Sequence, residues 1–194
     1  MSLTVRSIAV FCGSRMGDNP VYRQTAELAG KTLAEKNIRL IYGGGANGLM
    51  GVVADAVIKS GGTVTGVIPE FLKTREQMHD QVSELIVTDS MHARKQIMFA
   101  QADAFWILPG GFGTFDETME ILTWKQLGQH KKPILLVNVD GWGDAMVGML
   151  DMAVRQGFAS VEARALLQVV PDISAALVCS VMAEQVHDLP MSAL

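Results

Sequence analysis

The residues with the clearest chemical potential lie in Pro109-Gly110-Gly111-Phe112-Gly113-Thr114-Phe115-Asp116-Glu117. This run follows the apolar stretch Ala104-Phe105-Trp106-Ile107-Leu108 and opens a helical pattern over Phe115–Leu127. A strand that runs into a glycine turn and then a helix leaves backbone N–H groups without intrahelical partners. The helix dipole favours an anion at the same place. Gly111, Gly113 and Thr114 are therefore candidate phosphate-binding positions. Asp116, Glu117 and Glu120 then place carboxylates beside a site built for negative charge. A phosphate anchor with an acid next to it is more than a binding loop needs.

Two readings of Glu117 stand side by side. Thr114-Phe115-Asp116-Glu117 fits a capping box, with Thr114 as N-cap and Glu117 reaching back to a backbone N–H. Alternatively, Phe115, Met119 and Leu122 form the core-facing stripe, and Glu117 falls on the opposite side, free to line a cleft. Asp116 suits a solvated face, Glu120 either assists Glu117 or is solvated, and Trp124 suits core packing. A second constellation is Met91-His92-Ala93-Arg94-Lys95. Met91, Arg94, Lys95 and Met98 share one helical face, so the basic pair sits among apolar side chains, where an arginine is tolerated if it has a planar anion to grip. His92 offers a general acid or base, against the plainer reading of a helix-start histidine with a local hydrogen bond, which is favoured.

These residues need a frame. Apolar runs at Ser7–Cys12, Ile38–Tyr42, Thr63–Ile68, Glu84–Thr88, Ala104–Leu108, Ile134–Val137 and Leu167–Val170 read as strands. Helical patterns at Val21–Lys36, Gly48–Lys59, Met91–Gln101, Phe115–Leu127, Asp144–Gln156 and Ile173–Val186 fill most gaps. Such alternation predicts a Rossmann-like, doubly wound α/β fold with a mostly parallel sheet of about seven strands, flanked by helices. Ligands bind such sheets at the carboxyl ends of strands. Cys12-Gly13-Ser14-Arg15 and Tyr42-Gly43-Gly44-Gly45-Ala46-Asn47-Gly48 end two further strands. Gly13, Ser14, Gly44 and Gly45 thus join the Pro109 turn as expected lining of one pocket. No Walker loop is present, nor a G-x-G-x-x-G after the first strand, which disfavours NAD. Arg75 and Glu76 fall in a polar, irregular stretch from Pro69 to Ser83, expected to be a lid or wall.

Composition narrows the partners. At 194 residues the chain is expected to form one domain, 1–194. Apolar residues make up 49% and charged residues 19%, an excess that suits strands buried on both faces and an oligomer interface. No run reaches the ~20 apolar residues of a membrane span, and the N-terminus carries no signal-peptide pattern. The net charge of −4 argues against a nucleic-acid partner held through its phosphates. Two cysteines, Cys12 and Cys179, make neither a metal spacing nor a disulfide framework, so the expected compartment is cytoplasmic. No metal or cofactor is expected.

Taken together, these motifs resemble the Lonely Guy (LOG) family of nucleoside-5′-monophosphate phosphoribohydrolases, also found under the label of lysine decarboxylases. The resemblance runs through Val10-Phe11-Cys12-Gly13-Ser14, Tyr42-Gly43-Gly44-Gly45, Gly48-Leu49-Met50-Gly51, Met91–Lys95 and Pro109–Glu117. It extends to Ile121-Leu122-Thr123-Trp124 and Val137-Asn138-Val139-Asp140-Gly141. It implies hydrolysis of the N-glycosidic bond of AMP or an N6-modified AMP, releasing free base and ribose 5-phosphate, and so cytokinin activation. Arg94 and Glu117 match the family's catalytic pair. Glu76, Lys95, Gly111, Phe112, Gly113, Thr114, Phe115, Asp116 and Thr123 match substrate-contacting positions. The resemblance also implies a homodimer with the site near the subunit interface. Asp116 departs from the Glu common in plant members. Two other functions compete: a non-catalytic nucleotide-binding module, and a pyridoxal-phosphate decarboxylase, for which Lys95 is the candidate lysine.

Overall fold

Seven apolar strands line up as one parallel sheet in the order β4-β3-β2-β1-β5-β6-β7. The computed structural model describes residues 5–73 and 78–185. The strands are β1 (Ser7–Phe11), β2 (Arg39–Tyr42), β3 (Val64–Pro69), β4 (Glu84–Thr88), β5 (Ala104–Ile107), β6 (Ile134–Val137) and β7 (Leu167–Val170). Between and after them run α1 (Pro20–Glu35), α2 (Gly48–Lys59), α3 (Met91–Gln101), α4 (Phe112–Gln126), α5 (Asp144–Arg155), α6 (Val161–Ala165) and α7 (Ile173–Gln185). The fold is therefore the expected α/β, Rossmann-like one. Short 3-10 turns at Glu70–Leu72 and Val139–Gly141 complete it.

The apolar runs have the composition of strands covered on both faces, and two cores result. Ile8, Val10, Leu40, Tyr42 and Trp106 pack with Ala26, Leu33, Val53, Val57 and Ile173, which belong to α1, α2 and α7. Ala9, Phe11, Ile41, Phe105 and Leu136 pack with Met98, Ile121 and Met146 of α3, α4 and α5. The indole N–H of Trp106 would be costly to bury alone. It donates to Ser180 Oγ at 2.9 Å, which ties α7 to β5.

The strand order fixes where a ligand can enter. The chain winds outward from β1 to β4, then crosses back to place β5 on the other side of β1. The loops after β1 and β5 therefore part in opposite directions and leave a crevice at the switch point. There the Gly13 N–H donates to Pro109 O at 3.0 Å, joining the two glycine turns at their bases.

Several boundaries differ from expectation. α4 begins at Phe112, with Gly111 as N-cap and no side-chain cap hydrogen bond, not at Phe115 behind a Thr114 cap. Its buried face is Thr114, Glu117, Thr118, Ile121 and Leu122. Phe115 is exposed and stacks on Trp142, with ring centroids 5.8 Å apart. The inward stripe is thus rotated from the expected Phe115-Met119-Leu122 set, and Glu117 belongs to it. α6 is an additional short helix, started by Ser160 Oγ accepting from the Ala163 N–H.

Candidate active site

Arg94 is seated before it meets any acid. α3 starts at Ser90, whose Oγ accepts from the Ala93 N–H, and this start places Arg94 on the helix's buried face. The Arg94 Nε–H donates to Val67 O at 3.1 Å, and Nη2 donates to Gly43 O at 3.3 Å. These carbonyls lie on β3 and just after β2, so the guanidinium is oriented by the sheet itself. A Cβ at Gly43 would overlap Arg94 Nη2, so a larger residue there would push the guanidinium from this seat. Met91 Sδ lies 3.8 Å from Nη1.

Glu117 approaches from the other side of the crevice. Its Oε1 stands 3.8 Å from Arg94 Nη2, and both side chains are buried. That separation is an ion pair rather than a hydrogen bond. A guanidinium and a carboxylate taken out of water require each other, because either one alone would face a large desolvation cost. Glu117 sits in the second turn of α4, where a helix-capping role is geometrically closed to it. The capping box is therefore corrected: Gly111, which has no side chain, occupies the cap.

The buried Cys12 thiol lies at the end of β1 on the same cavity. Burial pushes its pKa well above the usual thiol range, and the charge of Glu117 adds to the effect. Cys12 is thus a neutral wall beside the acid.

The pair lines a cavity of about 130 Å³ together with Cys12, Gly13, Ser14, Met50 and the turn from Gly111 to Thr114. The first N–H groups of α4 belong to Phe112, Gly113 and Thr114, since the Phe115 N–H already donates to Gly111 O. A Cβ at Gly111 or Gly113 would meet nothing within 4 Å, so the turn is uncrowded at both positions. A neighbouring cavity of about 680 Å³ shares Gly13, Ser14, Gly111 and Phe112, but contains neither Arg94 nor Glu117. The buried Arg94–Glu117 pair lies in the smaller cavity, not in the larger one.

A family described as "Possible lysine decarboxylase" matches residues 50–179. The chain is 46% identical over 167 residues to the cytokinin riboside 5'-monophosphate phosphoribohydrolase LOG2 of Arabidopsis thaliana, covering 86% of this chain and 78% of that protein. It is 48% identical over 162 residues to the enzyme LOG of Oryza sativa subsp. japonica, which carries the same description, covering 84% and 67%. The chain belongs to the Lonely Guy (LOG) family. In fold, this LOG chain is similar to the Moco carrier protein of Chlamydomonas reinhardtii, with a TM-score of 0.68 at 21% identity over 95% of this chain and 99% of that one.

Of the other positions expected at the site, some line the cleft and others lie away from it. Gly13, Ser14, Gly111, Phe112, Gly113 and Thr114 meet in the cleft. Gly44 and Gly45 do not line it; Gly44 O accepts from the His79 N–H at 3.0 Å and Gly45 bridges Met78. Thr123 is exposed on the outer side of α4, its hydroxyl donating to Met119 O. Lys95 reaches sideways to Asp116 Oδ2 at 3.0 Å and Glu120 Oε2 at 2.8 Å. Arg75 and Glu76 lie outside the described residues. Trp124 is half-buried and sets its ring edge-on against Phe99.

The lysine decarboxylase label implies pyridoxal phosphate, and the described residues do not fit it. Burial works against the charge on Lys95, but hydrogen bonds and charge from Glu120 and Asp116 hold its pKa above the ordinary lysine value. A Schiff base needs the neutral amine. Among the described residues, no lysine lines either cavity.

Sequence reasoning passed over three parts of the site. Gly43 was visible within the glycine turn, and only its closeness to Arg94 gives it a task. The Val67 carbonyl has no side-chain signature at all. Cys12 opens a turn expected at the pocket, and only its burial beside Glu117 makes it a wall of the cavity.

Proposed function

We infer that this chain hydrolyses the N-glycosidic bond of a nucleoside 5′-monophosphate, AMP or an N6-modified AMP such as isopentenyl-adenosine monophosphate. The products are free base and ribose 5-phosphate, making the enzyme a cytokinin-activating phosphoribohydrolase. The observation that carries this reading is the buried Arg94–Glu117 pair, 3.8 Å apart, beside the uncapped start of α4. The relatives at 46% and 48% identity bear names of the same reaction.

The chemistry follows from the arrangement. The 5′-phosphate sits on the N–H groups of Phe112, Gly113 and Thr114, and this remote binding orients the sugar. As the C1′–N bond breaks, its electron pair leaves with the base and positive charge builds on the ribose, as in glycoside hydrolysis. Glu117 is the one carboxylate among the residues lining the small cavity. Its negative charge stabilises the cationic sugar, and it takes up the proton released as water adds to C1′. The departing base takes up a proton, and Glu117 gives its own back through solvent, so that water's hydrogens end on the C1′ hydroxyl and on the base. Arg94 stays protonated throughout; it holds Glu117 and the substrate in place and offsets the crowding of phosphate and carboxylate.

We read residues 1–194 as a single domain acting as a homodimer in the cytoplasm, with no cofactor or metal. Support for the dimer comes from large apolar side chains left in solvent: Phe112 at 91%, Phe158 at 87% and Val161 at 68% exposure. Lys95, Asp116 and Thr123 point out of their own cleft, where they can serve the partner's site. Both cysteines are unpaired, as suits a reducing compartment, and no described helix is long and apolar enough to cross a membrane. The test is chromatographic: purified protein incubated with AMP or isopentenyl-adenosine monophosphate is expected to release free base in step with ribose 5-phosphate. Tight nucleotide binding without base release would instead make the chain a nucleotide-binding module.

A further inference from the structure

His79 belongs to the polar Pro69–Ser83 stretch and lines neither cavity, yet it is buried to 6% exposure. Both of its ring nitrogens and its backbone N–H are engaged. Nδ1 accepts from the Gln81 N–H at 3.3 Å, which leaves the ring hydrogen on Nε2, and Nε2 donates to Asp55 Oδ1 of α2 at 3.1 Å. Its backbone N–H donates to Gly44 O at 3.0 Å, and the preceding Met78 bridges Gly45. The ring thus fastens the segment after β3 to α2, and the backbone beside it fastens the same segment to the glycine turn after β2.

That turn is the seat of Arg94. Gly43 O receives Arg94 Nη2 at 3.3 Å, one residue before the carbonyl that His79 holds. The turn has no side chains to stiffen it from Gly43 to Gly45. Gly44 sits at φ +77°, a conformation that glycine enters and leaves without steric cost. Unclamped, such a turn can rotate its peptide planes, and the carbonyl facing Arg94 would turn with them. Val67 O, the other anchor, belongs to the hydrogen-bonded strand β3 and needs no such clamp.

We propose that His79, held by Asp55, is a positioning residue for Arg94: it clamps the Gly43–Gly45 turn so that the Gly43 carbonyl keeps the guanidinium at Glu117. The consequence for catalysis rests on the phosphoribohydrolase reading; the clamp itself does not.

The test therefore reads both. His79→Ala keeps the backbone N–H and removes the ring. It is expected to lower kcat for base release at least about tenfold, a misplacement effect, with KM within about twofold of wild type. In the same variant, NMR exchange of the Arg94 Nη2 hydrogens, which face Gly43 O, should become faster with solvent than in wild type. His79→Gln, which restores a donor towards Asp55, should recover most of both properties. If His79→Ala does not fold, Asp55→Ala, at a half-exposed position, should shift both readouts in the same direction. Wild-type kcat in a folded His79→Ala, or lowered kcat with Arg94 Nη2 exchange unchanged, would overturn the clamp even if Tm falls. A wild-type protein that releases no base, yet whose Arg94 exchange is quickened by His79→Ala, would refute the reaction and leave the clamp standing.

Discussion

At the scale of single residues, the site works by mutual compensation between buried groups. Arg94 has two backbone carbonyls and one carboxylate to face, and removing its charge leaves Glu117 buried against an anionic substrate. Arg94→Ala is expected to lower kcat/KM by about 10²–10³, the range for losing a preorganised electrostatic group. Steady-state base release checks this, and an effect confined to Tm would contradict it. Cys12 offers a second readout of the same field. Burial and then the Glu117 charge hold its thiol protonated, so the nucleophilic thiolate is scarce. Native protein at pH 8 should label readily at the half-buried Cys179 and only slowly at Cys12, as peptide mass mapping after alkylation would show. Rapid labelling of Cys12 would contradict the buried, acid-adjacent placement.

Elements determine whether those residues meet. α2 and α3, and strands β4, β6 and β7, have the limits expected from apolar periodicity, because their caps and flanking turns carry ordinary signals. α4 does not. Thr114 and Glu117 spell a capping box, but the chain enters the helix three residues earlier, through Gly111. The intrinsic cost of glycine in a helix is about 1 kcal/mol. Here burial of Thr114 and Thr118 against the sheet overrides it. That shift rotates Glu117 inward and Phe115 outward, and no local pattern encodes it. The seat of Arg94 was equally hidden, since it consists of two carbonyls contributed by other parts of the sheet. Gly43→Ala tests this element directly: the added methyl would overlap the guanidinium. It is expected to cut kcat by at least about tenfold. Circular dichroism and Tm near wild type would show that the sheet survives; unchanged kcat would mean that Arg94 tolerates another seat.

The whole molecule carries its own dependence on pH. His130 packs edge-on against Phe99 and Phe105, and its Nδ1 is buried without a hydrogen-bond partner. Burial lowers its pKa, Lys125 and Lys132 push the same way, and the hydrogen bond to Ile121 O opposes them. A histidine depressed in the folded state binds its proton more readily when unfolded. Stability is therefore full above its ordinary value of about 6.5 and declines as pH falls below it. Urea unfolding of wild type and His130→Gln between pH 5 and 8 should show a shallower acid loss in the variant; parallel curves would contradict the assignment. At the level of assembly, Phe158→Asp is expected to shift a dimer towards monomer in sedimentation, and a variant that stays dimeric would place the interface elsewhere. The decisive measurement is base release from AMP by Glu117→Gln, with nucleotide binding followed in the same preparation. Retained AMP binding with release lowered by about 10³ or more is expected if Glu117 faces the breaking bond. Release near the wild-type rate would contradict a catalytic Glu117.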